Sequence, residues 1–117
     1  GITQLSGAHT INLSSCKVTD KGLKALIGVH DINLSFCKNI TDEGVKCLAG
    51  VHTIDLSRCK NITDVSCFSL KGVHTISLVG CKVTDKGIKH LAGAYSINLQ
   101  QTRVTDKGVT ELAGVHT

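Results

Sequence analysis

The 117-residue chain has no tryptophan, no methionine and no proline, and only two Phe and one Tyr. With 3% aromatic residues, any core has to be aliphatic, with Ala and Cys as small fillers. No apolar run approaches the ~18 residues that a membrane-crossing helix needs, so no membrane partner is expected. The net charge of +4 is spread along the chain without basic-aromatic clusters, so no nucleic-acid partner is expected. There is no Gly-x-Ser-x-Gly, no phosphate loop and no paired-Cys metal motif. An enzyme is therefore not expected, nor a cofactor.

What the chain does have is one segment repeated. Val29-His30-Asp31-Ile32-Asn33-Leu34-Ser35-Phe36-Cys37 recurs from Ala8, Val51, Val73 and Ala94, and begins again at Val115. In an extended chain Ile32 and Leu34 share one side, while Asp31 and Asn33 point to the other. The column Ile11, Ile32, Ile54, Ile76 and Ile97 runs at intervals of 21, 22, 22 and 21 residues. A single strand of this kind cannot bury its apolar side. Five stacked in parallel share one core.

Each strand is followed by Cys-Lys-(Asn)-Val/Ile-Thr-Asp, and Asn39 and Asn61 account for the longer intervals. Val18, Ile40, Ile62, Val83 and Val104 are expected to dip into the core. Thr-Asp pairs such as Thr41-Asp42 suit a helix start. Leu23 and Leu26, three apart, share one face of the short helix that follows. Gly28, Gly50, Gly72, Gly93 and Gly114 are expected to end the helices, where positive φ is common. Gly22, Gly44, Gly87 and Gly108 lie inside the helices and need a packing reason, such as close approach of the neighbouring turn. The third return segment, Val65 to Leu70, lacks this Gly. Phe68 is expected to be exposed there, or its helix irregular.

Cys16, Cys37, Cys59 and Cys81 fall in one column, with Thr102 in the last copy. Stacked side chains point in parallel, and a disulfide needs them turned toward each other. The column therefore reads as buried free thiols, which implies a reducing, intracellular (cytoplasmic) compartment.

The repeating segment resembles the signature of leucine-rich repeats. Cys-x-x-Ile-Thr-Asp-x-Gly-Val, Cys37 to Val45, resembles the cysteine-containing subtype familiar from F-box ubiquitin-ligase receptors. The resemblance covers essentially the whole chain and recurs in register. It implies an α/β solenoid, a curved right-handed coil with parallel strands on its concave face and short helices on its convex face. It also implies protein binding by the concave face. The subtype usually has longer repeats, and no F-box is present, so a ubiquitin role does not carry over. Residues 1–117 are expected to form a single array of about five repeats, without caps, taken from a longer array. The apolar edge at Ile2 and Leu5, and the strand begun at Val115, point to end-to-end self-association.

Columns that vary mark candidate contacts with a protein partner. On the outward strand positions these are Asp31, Thr53 and Thr75, then Asn33, Asp55, Ser77 and Asn98. Just beyond the strands, Phe36, Arg58 and Gln101 depart from small polar residues, and Tyr95 departs from a column of His. Aromatic and Arg residues are favoured interface anchors. His9, His30, His52, His74 and His116 make up that column, a surface ladder. No metal is expected there, because no carboxylate or thiol completes a tetrahedral set at that position. Two alternatives to partner binding stand beside it: a structural spacer in a long array, and ice binding by the regular Thr/Asn face.

Overall fold

A computed structural model describes residues 10–26 and 28–110. His9, His116, Gly114 and the two ends around Ile2, Leu5 and Val115 lie outside the described residues. Five three-residue strands form the sheet: β1 (Thr10–Asn12), β2 (Asp31–Asn33), β3 (Thr53–Asp55), β4 (Thr75–Ser77) and β5 (Ser96–Asn98). They pair in parallel and in sequence order, and the register sets Ile11 against Ile32, Ile32 against Ile54, Ile54 against Ile76 and Ile76 against Ile97. The ladder continues past the strands. The Leu34 and Phe36 amides donate to Asp55 and Ser57 carbonyls, both at 2.8 Å, and the pattern recurs along the coil.

Between strands run α1 (Asp20–Leu23), α2 (Asp42–Val45), α3 (Asp64–Ser69), α4 (Asp85–Ile88) and α5 (Asp106–Thr110). α1, α2 and α4 each continue as a single 3-10 turn. The tightening suits the sequence: in a 3-10 turn residues three apart eclipse, so Leu23 and Leu26 point the same way, and both are fully buried. Strand Ile and Leu side chains, Val18, Ile40, Ile62 and Val83, and the helix Leu residues form one continuous core, with Leu13, Leu99 and Val104 packed partly against it.

The repeats are also joined by hydrogen bonds that cross between turns. The Asp20 carboxylate accepts from the Thr41 N–H at 2.7 Å and the Thr41 hydroxyl at 2.5 Å. Asp42 does the same with Thr63, Asp64 with Thr84 and Asp85 with Thr105. The two Thr105 bonds, side chain first and then backbone, hold the Asp85 carboxyl below its usual range. Each of Thr41, Thr63 and Thr84 also accepts from its own helix at 3.3 Å, as an N-cap does. The Asp therefore turns away from its own helix and serves the next repeat. This explains the buried glycines. A Cβ on Gly44, Gly87 or Gly108 would collide with the carboxylate of Asp20, Asp64 or Asp85. In the third repeat Ser66 stands in that slot, and its hydroxyl donates to Asp42 at 2.5 Å. Among the described residues its helix is the longest α segment, and Phe68 is exposed, as expected.

Two expectations need correction. Gly28 and Gly50 take φ of 92°, but Gly72 and Gly93 do not adopt positive φ; the third left-handed glycine is Gly80, in a turn after β4. Cys37, Cys59 and Cys81 are buried, yet Cys16 is exposed. The reason is the thiol's partner. Cys37, Cys59 and Cys81 donate to the carbonyls of Leu13, Leu34 and Leu56, each at 3.0 Å and each in the preceding repeat. Among the described residues no carbonyl accepts from the Cys16 thiol. Thr102 differs too, because its hydroxyl donates to Leu99 of its own turn, at 2.7 Å.

Burial pushes the Cys37 thiol up, and those of Cys59, Cys67 and Cys81 up to about 12. All six cysteines are free. Thiol titration at pH 8 is expected to modify Cys16 at once and Cys59, Cys67 and Cys81 only after denaturant is added. Because the folded values are raised, this contribution to stability is complete below the unfolded thiol value of about 8.5. It is lost as pH rises through the folded values of about 12. Alkaline melting should therefore begin above pH ~8.5; a profile flat to pH 11 would contradict it.

Candidate functional site

The outward columns of the five strands form one polar surface. Thr10, Asn12, Asp31, Asn33, Thr53 and Asp55 line a shallow groove across β1 to β3. Asp31, Asn33, Thr53, Asp55, Thr75 and Ser77 are half-buried, and Asn98 is exposed. The second outward column has a structural task as well. Asn12, Asn33, Asp55 and Asn98 each accept from the backbone amide two residues on, at 2.9–3.1 Å, which closes the turn after the strand. Ser77 cannot reach in this way; its hydroxyl lies 2.7 Å from that of Ser57.

Phe36, Arg58 and Gln101 do not stand on the strands. They occupy the turn beyond, where the backbone is left-handed: φ is 60° at Ser15, 63° at Phe36, 63° at Arg58, 74° at Gly80 and 60° at Gln101. A non-glycine residue there costs about 1–2 kcal/mol. The column thus carries strain in four of five repeats, while exposing Phe36 (52%) and Arg58 at the rim of the concave face. The Arg58 stem crosses Gly80, where a Cβ would come within 3.0 Å of Arg58 Cδ. Phe36→Gly should raise stability by about 0.5–1 kcal/mol, the relieved strain less the greater freedom of Gly in the unfolded chain. Phe36→Val should lower it. Urea midpoints check both, and a loss with Gly would show that the ring is packed.

The aromatic ladder is a true stack. His30 and His52 lie 4.5 Å apart at 13°, His52 and His74 4.4 Å apart at 12°, and His74 and Tyr95 4.9 Å apart at 11°. His52 and His74 use Nδ1 toward the neighbouring hydroxyls of Thr53 (2.9 Å) and Thr75 (2.7 Å). The His30 rung differs. Asp31 replaces Thr, and its Oδ1 is 2.6 Å from His30 Nδ1 and 3.9 Å from His52 Nδ1. A carboxylate does therefore stand within the ladder, contrary to the expectation from the histidine column alone. The strand register brings it there, and the His-Asp pair in a column of His-Thr was the available signal.

The convex side carries a smaller feature. Val65 and Phe68 are exposed on α3; Phe68 meets the edge of His90 at 5.2 Å and lies under Lys71 Nζ at 4.6 Å. Among the described residues no helix is long and apolar enough to cross a membrane.

Residues 9–27 and 29–49 match the Leucine Rich repeat family. No curated protein matches the chain. The fold is similar to that in the crystal structure of a TLR13–ssRNA13 complex. The TM-score is 0.58 and the identity 16%, over 98% of this chain and 22% of that one. The chain thus spans about a fifth of the length of that protein. The in-register Ile and Leu columns, the parallel sheet in sequence order and these two likenesses agree: this chain has the fold of a leucine-rich repeat array, an α/β solenoid, and two of its repeats match the family itself.

Proposed function

We propose that this interaction module holds a protein partner against its concave strand face and the adjoining turn rim. The observation that carries the reading is a local break in regularity. Asp31, Phe36, Asp55 and Arg58 depart from small polar residues on two neighbouring repeats, on one side of the sheet, while the columns facing the core stay uniform. An exposed aromatic and an Arg beside two carboxylates make a set of interface anchors. Two carboxylates also repel phosphate, which favours a protein over a nucleic acid, although the TLR13 structure contains ssRNA. The role is binding without catalysis, with the buried free thiols suiting a reducing, cytoplasmic compartment.

The test compares capture of partners from a lysate of the source cells. The combined variant Asp31→Thr, Phe36→Ser, Asp55→Asn and Arg58→Ser should lose the proteins that the wild type retains. A convex variant, Lys21→Glu with Lys86→Glu, should keep them. The reverse pattern would move the binding surface to the helices.

A further inference from the structure

We propose that His30, Asp31 and His52 form a binding site for a divalent transition ion of the zinc class, clipped across the His30 and His52 rungs of the ladder. One ligand atom from each of the three lies within 4.8 Å of the others. Imidazole nitrogen and carboxylate oxygen are the donors such an ion takes, and three protein ligands leave a position for water or a partner's side chain. With bonds of about 2.0–2.1 Å, a tetrahedral site needs ligand-to-ligand distances of about 3.3 Å. The carboxylate now stands 2.6 Å from one ring nitrogen and 3.9 Å from the other. Binding therefore asks each ligand to move by about an ångström to reach these bond lengths.

The rings are stacked nearly parallel, so their in-plane lone pairs do not yet converge. One imidazole has to swing about its χ2, which is a soft torsion. Side chains exposed by 48% and 43% have the room to do so. The ion would replace the His30–Asp31 hydrogen bond and would tie the repeat of β2 to the repeat of β3.

The molecule contains its own control. His52, Thr53 and His74 repeat the arrangement one rung on, with Thr in place of Asp, and the rings stack equally well. If stacked histidines alone sufficed, both rungs would bind. If the carboxylate is required, only the first does.

The experiment is calorimetric titration of the reduced protein with zinc chloride in a non-chelating buffer, with histidine ring resonances as a second readout. One ion per chain is expected, shifting the His30 and His52 rings. Asp31→Thr should weaken it at least tenfold. This variant installs the residue that β1, β3 and β4 already carry at that register, so the fold is preserved. His52→Gln should weaken it as much, and His74→Gln should leave it unchanged. Absence of one-to-one binding, equal affinity in Asp31→Thr, or loss in His74→Gln with retention in His52→Gln would each overturn the site. This site and partner binding are separable, because the zinc titration needs no partner.

Discussion

Gly44→Ala should destabilise the protein by about 2–4 kcal/mol, although Gly→Ala in an ordinary helix stabilises by roughly 1 kcal/mol. A Cβ at Gly44 would lie 2.8 Å from Asp20 Cγ and 2.9 Å from Asp20 Cα. The second of these is backbone, so a side-chain rotation cannot relieve both. Either the two repeats separate, at an overpacking cost of about 1–3 kcal/mol, or the carboxylate swings away from Thr41. The latter forfeits two charge-assisted hydrogen bonds, each worth about 1.5–3 kcal/mol at most and less where water replaces it. Gly72→Ala is the internal comparison. Its Cβ would meet nothing within 4 Å, and its φ is not positive, so it should be near neutral. Urea denaturation of the two variants gives the contrast directly, since midpoints shift with stability at constant slope. Equal midpoints would mean that the Asp–Thr links do not tie the repeats together.

Leu56→Ala should cost about 2–5 kcal/mol, the range for a fully buried leucine whose cavity cannot close. Leu56 is 0% exposed and lies in the central repeat, with a neighbour on either side. Leu99 occupies the same repeat position but is only partly buried. Leu99→Ala should therefore cost about half as much, because less apolar area returns to water. Thermal or urea unfolding of the pair checks it. A larger loss at Leu99 would contradict a core that is deepest in the middle of the array.

The strands and their register were legible because period-two alternation in every copy leaves one apolar face, and slipping by one residue would expose it. The concave columns were legible for the same reason. The Asp–Thr links were not. Sequence shows Thr41 beside Asp42, which suggests a cap within one helix, whereas the carboxylate that Thr41 serves is 21 positions earlier, at Asp20. The left-handed turn column was hidden because Ser15, Phe36, Arg58 and Gln101 fill it, and only Gly80 hints at the backbone it needs. The exposure of Cys16 and the carboxylate at His30 and His52 were missed for a related reason. Both depend on what the adjacent repeat contributes, and a column read by itself omits that neighbour.

Uniform columns hold the coil together, while the irregular outward positions, exposed at Phe36 and Arg58 and half-buried at Asp31 and Asp55, are the ones proposed to serve a partner. Thermal melting of the combined variant Asp31→Thr, Phe36→Ser, Asp55→Asn and Arg58→Ser tests that division most directly. Asn at 55 retains the oxygen that accepts from the Ser57 amide. Surface substitutions that keep the backbone hydrogen bonds shift stability by about 0.5 kcal/mol or less each. The melting temperature should therefore stay within about 10 °C of the wild type. A fall of about 15 °C or more would show that these residues hold the fold, and would contradict a surface reserved for binding.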